Sequence, residues 1–165
     1  RSDSSAASDV YKRQHYIINL QGDLPTINSM ALEKVLNLLS SEENEIGTLV
    51  TQFEREEDLK KEQFVKAVCN LSGSETESYA ENFVRKQGDY DSKNLFHHIG
   101  IYSFKRDALE KFVTLSQTDR EKNEKLEQLR ALDNNMKIKI GLIDFLPLGV
   151  DTPDDLEEIR KILSK

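Results

Sequence analysis

The sequence holds one cysteine, Cys69, set in the apolar alternation Phe64-Val65-Lys66-Ala67-Val68-Cys69. Without a second cysteine there is no intrachain disulfide and no thiolate metal cluster, and the fitting role is a small buried hydrophobe in a reducing compartment. No apolar run approaches the roughly 20 residues that cross a bilayer, and no basic, apolar and small-residue leader opens the chain. A cytoplasmic location with no membrane contact is therefore expected. Positive charge is also in short supply, with 23 Lys and Arg against 30 Asp and Glu and a formal net charge of -7. That balance argues against nucleic acid as a partner. Missing as well are a phosphate loop of the G-x-x-x-x-G-K type, a G-x-G-x-x-G fingerprint and a nucleophile elbow, so nucleotide-hydrolase, dehydrogenase and serine-hydrolase chemistries lose support.

What remains is a chain of 165 residues, enough for one domain with a genuine core. Residues 1–14, RSDSSAASDVYKRQ, are rich in serine and charge and lack an apolar period. They are expected to be a foreign or disordered leader, leaving 15–165 as a single domain that starts in mid-fold. Tyr16-Ile17-Ile18-Asn19-Leu20 has the compact apolar character of a central strand, closed by Gly22 and Pro25. From Asn28 onward, Met30, Leu32, Val35, Leu36 and Leu39 recur at helical spacing, with Asn28 or Ser29 placed to cap the start. Further strands are expected at 48–53, 64–70, 79–84 and 136–143, and a strongly β stretch at 98–104 with His98 at its head. The charged stretch 54–62 suits a solvated connection. Helices are expected at 106–113, across the charge-dense segment 119–134, and after Pro153. Strands alternating with helices define an α/β layered fold.

Two aspartates stand out, because Asp23 and Asp151 each follow a strand-like run, in Gln21-Gly22-Asp23-Leu24-Pro25 and Gly149-Val150-Asp151-Thr152-Pro153. In open α/β sheets ligands gather beyond the carboxyl ends of strands, and one or two carboxylates are what Mg²⁺ usually takes from a protein when phosphate and water supply the rest. Taken singly, Asp23 is equally a turn former and Asp151 a helix cap. His97 and His98 offer neutral imidazoles that either bond a substrate group or merely satisfy a sheet edge. Arg85 suits bidentate pairing with a carboxylate, although a surface arginine is the simpler account. In Leu126-Glu127-Gln128-Leu129-Arg130 the leucines point to the core, which makes Glu127 and Gln128 an ordinary exposed helix surface by default.

In order along the chain, Asn19-Leu20-Gln21-Gly22-Asp23-x-Pro25, His98-Ile99-Gly100-Ile101-Tyr102, Leu126-Glu127-Gln128-Leu129-Arg130 and Gly149-Val150-Asp151-Thr152-Pro153-x-Asp155-Leu156 resemble the 3-deoxy-manno-octulosonate cytidylyltransferases, the CMP-Kdo synthetases. The likeness runs from about His15 to the C-terminus. It implies a Rossmann-like fold of the nucleotide-diphospho-sugar-transferase type, a layered mixed sheet flanked by helices, usually dimeric. It implies that CTP and the eight-carbon acid sugar Kdo give CMP-Kdo and pyrophosphate for bacterial lipopolysaccharide. The residues matching Asp23 and Asp151 would then be catalytic and hold Mg²⁺, while Gln21, Arg85, His98, Tyr102, Glu127 and Gln128 would contact the sugar. Two departures are visible. Leu24 stands where the family usually has glutamate, and the family's opening strand and basic loop, A-R-x-x-S-x-R-L-P-G-K, are not found, so the domain is expected to be truncated at its N-terminus. Competing expectations are a cytidylyltransferase for another acid sugar, such as sialic acid, and a non-catalytic module that binds sugar or dimerises.

Overall fold

A computed structural model describes residues 15–22, 24–150, 156–157 and 159–161. Seven strands form one mixed sheet: β1 (Tyr16–Leu20), β2 (Ile46–Thr51), β3 (Lys66–Val68), β4 (Glu77–Tyr79), β5 (Asn82–Val84), β6 (Leu95–Lys105) and β7 (Ile138–Leu142). Four helices lie wholly within the described residues, α1 (Ser29–Asn37), α2 (Arg106–Thr114), α3 (Asp119–Glu124) and α4 (Gln128–Asp133), and 156–157 and 159–161 are also helical. The strand path is β4-β7-β2-β6-β3-β5, with β1 beside β6. Only β2 and β7 run parallel; every other pairing is antiparallel.

The organising element is β6, 11 residues long. Along one edge it pairs with β2. Its other edge is divided: β1 pairs with Ile101 to Lys105, and β3 with Leu95 to His97. Between the end of β1 and the start of β3, at Ile99 and Gly100, that edge has no strand partner among the described residues. Alternation along β6 sends Ile99 and Ile101 to one face and Phe96 and Phe104 to the other. On the first face α1 buries Ala31, Val35 and Leu38 against Leu49, Ile99 and Ile101. On the second, α2 and α4 pack Ala108, Phe112, Leu129 and Ala131 over Ile46, Phe104, Ile138 and Ile140. The result is three layers, helix, sheet and helices.

Local chemistry explains the elements. The Asn28 side chain accepts from the Ala31 amide at 2.9 Å and so caps α1. The helix lies close to the sheet at Gly47, where an added Cβ would meet Ser103 Oγ at 2.5 Å and the Val35 carbonyl at 3.0 Å. Ser103 Oγ donates to that same Val35 carbonyl at 2.6 Å, stitching α1 to β6.

Several expectations change. Tyr16–Leu20 is a strand, but among the described residues β6 is its one strand partner, and Tyr16 and Leu20 are exposed. The stretch 79–84 is two strands, because the chain leaves β7 after Tyr79 and joins β3 from Asn82. His98 sits inside β6 and does not lead it, since Leu95 and Phe96 already pair with β3 and His97 stacks on Phe53 at 5.0 Å. The segment 119–134 is two helices, broken at Lys125 in the left-handed region with φ 55°. Met30 is exposed, and Ala31, Val35 and Leu38 fill the α1 core face in its place. The stretch 54–62 contains a 3-10 turn, Glu56–Lys60, that buries Leu59. Asp23, residues 1–14 and Asp151 with the start of the last helix lie outside the described residues.

Candidate active site

The Ile99–Gly100 stretch of the β6 edge lies at the mouth of a cavity of about 740 Å³ on the α2/α4 face of the sheet. Its floor is the row of β6 that faces α2 and α4, His98, Gly100, Tyr102 and Phe104. These residues alternate with core residues, so strand period alone brings them into line. Gly100 leaves a gap in the row: a Cβ there would meet only Gln21 Cγ, at 3.8 Å. The rings around it form a contact series, edge to face at Phe83–His98 and tilted beyond it. Phe83 lies 5.1 Å from His98, His98 5.4 Å from Tyr102, and Tyr102 6.1 Å from Phe104.

The cavity wall comes from the break between α3 and α4. Thr118 and Glu121 form a reciprocal capping box at the start of α3. At its end Arg85 Nε donates to the Glu124 carbonyl at 3.0 Å and Nη2 to the Lys125 carbonyl at 3.3 Å, satisfying carbonyls left without helical partners. The left-handed Lys125 then reverses the chain, buries Leu126, and starts α4 with Glu127 and Gln128 at the cavity. Arg130 fixes this turn from behind. It grips Glu121 through Nε at 2.8 Å and Nη2 at 2.5 Å, reaches Glu127 at 3.3 Å, and lies over the Phe112 ring at 4.8 Å.

Beneath Arg85 lies Lys66, fully buried, whose Nζ donates to the carbonyls of Lys61 at 2.6 Å, Phe64 at 2.8 Å and Arg85 at 2.6 Å. Burial lowers its pKa. Burial also drives the His98 pKa down to about 3, so the ring is neutral at physiological pH, and pushes the Tyr102 phenol up, so it keeps its proton. Cys69 is buried and its thiol is pushed up to about 12, as an inert core residue requires.

Six residues that the motifs single out, Gln21, Arg85, His98, Tyr102, Glu127 and Gln128, line this one cavity. They come from the end of β1, the end of β5, the middle of β6 and the start of α4. Gln128 is buried and Glu127 exposed. Arg85 differs from expectation in its bonding: its donors go to the carbonyls of Glu124, Lys125 and Glu62, so it shapes the wall before it meets any ligand. A second cavity of about 680 Å³, at the ends of β2 and β7 beside α1, is lined by none of the six. Sequence reasoning did not single out Thr48, Lys66 or Gly100. Their importance depends on register and contact, and the one available signal was Gly100 inside the quoted His98–Tyr102 motif. Among the described residues no helix is long and apolar enough to cross a membrane.

A mixed sheet with helices on both faces and polar residues gathered at one strand edge is the architecture of the nucleotide-diphospho-sugar-transferase fold, and comparison bears this out. The profile of the cytidylyltransferase family matches residues 2–138, and the chain belongs to that family. It is 44% identical over 149 residues to the 3-deoxy-manno-octulosonate cytidylyltransferase of Rhizobium etli (strain CIAT 652), covering 90% of this chain and 59% of that protein. With the enzyme of the same description from Bartonella bacilliformis it shares 42% over 156 residues, 94% of this chain and 64% of that protein. A solved CMP:2-keto-3-deoxy-manno-octonic acid synthetase complexed with CTP superposes with a TM-score of 0.81 at 26% identity, covering 99% of this chain and 69% of that one. A UDP-glucose pyrophosphorylase, at 12% identity, TM-score 0.65 and coverage of 95% and 57%, shares the fold. The resemblance carried by the four motifs thus holds. The chain spans about 60% of the length of the curated relatives it matches.

Proposed function

We propose that the β6 cavity is the acid-sugar site of a CTP-dependent cytidylyltransferase that makes CMP-Kdo and pyrophosphate in the cytoplasm, for lipopolysaccharide. The observation that carries this reading is the convergence of Gln21, His98, Tyr102, Glu127 and Gln128, more than a hundred positions apart at their extremes, on one cavity. An eight-carbon polyol acid presents hydroxyls and one carboxylate. The cavity answers with amides at Gln21 and Gln128, a neutral imidazole at His98, a protonated phenol at Tyr102 and a carboxylate at Glu127. Aromatic edges and apolar side chains supply the dry floor. In the reaction the sugar's anomeric oxygen bonds to the α-phosphorus of CTP as the bond to the bridging oxygen of pyrophosphate breaks. The residues described here bind the sugar and aim that oxygen, a positioning contribution that lowers the entropy cost of the step.

Asp23 and Asp151 would hold Mg²⁺. Two hard oxygen donors fit that ion, and the described Gln21, two residues before Asp23, opens onto the cavity. When bound, such an ion neutralises charge on the triphosphate. We also infer a homodimer, which light scattering would test.

The deciding experiment mixes the purified chain with CTP, Kdo and Mg²⁺ and measures pyrophosphate release beside calorimetric Kdo binding, with Asp23→Asn and Asp151→Asn as controls. Release that both variants abolish supports the reading. Kdo binding without release would reduce this chain to a sugar-binding module, and absence of both would overturn the site assignment. Preference for sialic acid over Kdo would move the specificity to another acid sugar.

A further inference from the structure

We propose that Thr48 is a positioning residue that sets the tautomer of His98, holding the proton on Nε2 and leaving Nδ1 as a bare acceptor toward the cavity, so that His98 reads a hydroxyl of the ligand and turns its carboxylate away. The second half rests on the acid-sugar reading above; the first does not.

Thr48 lies in the middle of β2 and is fully buried. It stands opposite Tyr102, yet the next residue, Leu49, stands opposite Ile99. Gly100 and Ile101 therefore have no opposite number on β2, and the ladder bulges there. The Thr48 hydroxyl fills the bulge. Its Oγ1 lies 2.8 Å from the Ile101 carbonyl, 3.4 Å from the Ile99 carbonyl and 3.0 Å from His98 Nε2.

A hydroxyl has one proton and two lone pairs, whereas a carbonyl oxygen can only accept. If the Thr48 proton went to Nε2, the hydroxyl lone pairs would face the Ile101 oxygen at 2.8 Å with no hydrogen between them, a repulsive contact of two acceptors. With the proton on the Thr48–Ile101 line, Oγ1 accepts from an Nε2–H. The chain of bonds then runs from His98 Nε2–H to Thr48 Oγ1–H to the Ile101 carbonyl, and each group is satisfied.

In a neutral imidazole a proton on Nε2 leaves none on Nδ1. The ring is neutral because burial disfavours its charged form. Among the described residues His98 has no hydrogen bond except that to Thr48, and no buried side-chain nitrogen or oxygen lacks a partner, so Nδ1 opens to the cavity. Phe83 at 5.1 Å and Tyr102 at 5.4 Å pack against the ring. A bare nitrogen lone pair attracts a hydroxyl proton and repels a carboxylate. The acid group must then find its donors at the Gln21 and Gln128 amides, the Tyr102 hydroxyl and the N–H groups that Arg85 has left.

The test is the ring ¹⁵N spectrum of histidine-labelled chain at neutral pH, with the His98 signals assigned by their loss in His98→Asn. The expected result is a protonated Nε2 and an unprotonated Nδ1 on His98. Thr48→Val should remove this preference and weaken Kdo binding about ten-fold, the worth of one buried hydrogen bond, and Thr48→Ser should restore both. A wild-type His98 protonated on Nδ1, or a tautomer unmoved by Thr48→Val, would overturn the proposal. If the tautomer behaves as expected but Kdo does not bind even the wild-type chain, the assignment of His98 to Thr48 stands and the acid-sugar reading falls.

Discussion

The backbone oxygen of Arg85 accepts from the buried Lys66 ammonium at 2.6 Å, while the guanidinium of the same residue closes the C-terminal end of α3. One residue thus ties the interior of the sheet to the wall of the cavity. Lys66→Met keeps the apolar stem but leaves the carbonyls of Lys61, Phe64 and Arg85 without their donor. At about 1 kcal/mol each, offset by the relieved cost of burying a charge, the variant should lose about 2–3 kcal/mol in a urea titration.

Glu121 supplies an acid-sensitive element. The Arg130 hydrogen bonds, first among its influences, hold its pKa below the ordinary 4.5. A depressed carboxylate pKa gives stability that is fully present above 4.5 and is lost as pH falls through the folded-state value. Glu121→Gln should cost about 2 kcal/mol at neutral pH, and the gap from wild type should close on acidification below the native Glu121 pKa, as followed by denaturation at a series of pH values.

Gly100→Ala separates binding from folding. The nearest atom to the new methyl is Gln21 Cγ at 3.8 Å, so nothing need shift, and the loss of backbone freedom in the unfolded chain should leave stability unchanged or raised by about 0.5 kcal/mol. The methyl occupies the gap between His98 and Tyr102, and calorimetry should show weaker Kdo binding by the folded variant.

Lys125 carries its left-handed conformation, φ 55°, without the glycine that usually fills such a C-cap. Lys125→Gly should raise the thermal midpoint, with a gain of about 1 kcal/mol, because the side-chain clash is removed while the carbonyl that Arg85 holds is retained. Lys125→Ala, with its Cβ kept, should give no such gain.

Local periodicity made much of this architecture legible. The helical spacing from Asn28 gives α1, the apolar run around Thr48 gives β2, and the helix expected at 106–113 is α2. Motif order singles out Gln21, His98, Glu127 and Gln128. What stayed hidden depends on events remote in sequence or unusual for the residue type. Lysine rarely adopts a left-handed conformation, so nothing at Lys125 signals that one helix is two. Tyr79 and Asn82 are close in the chain yet join opposite ends of the sheet path, which no local pattern shows. Thr48 and Lys66 look like a strand threonine and a surface lysine until register places one over a bulge and the other beneath Arg85.

The central position of β6 also bears on how the chain reaches its native state. β1, β2 and β3 all precede β6 by long stretches of sequence, so each pairing closes a large loop before it gains contacts. Refolding should accordingly be slow for a domain of this size, in the range of milliseconds to seconds. Ligand affinity should appear only in the last kinetic phase, since the floor of the cavity is β6 itself and Gln21, at the end of β1, reaches it through the β1–β6 pairing.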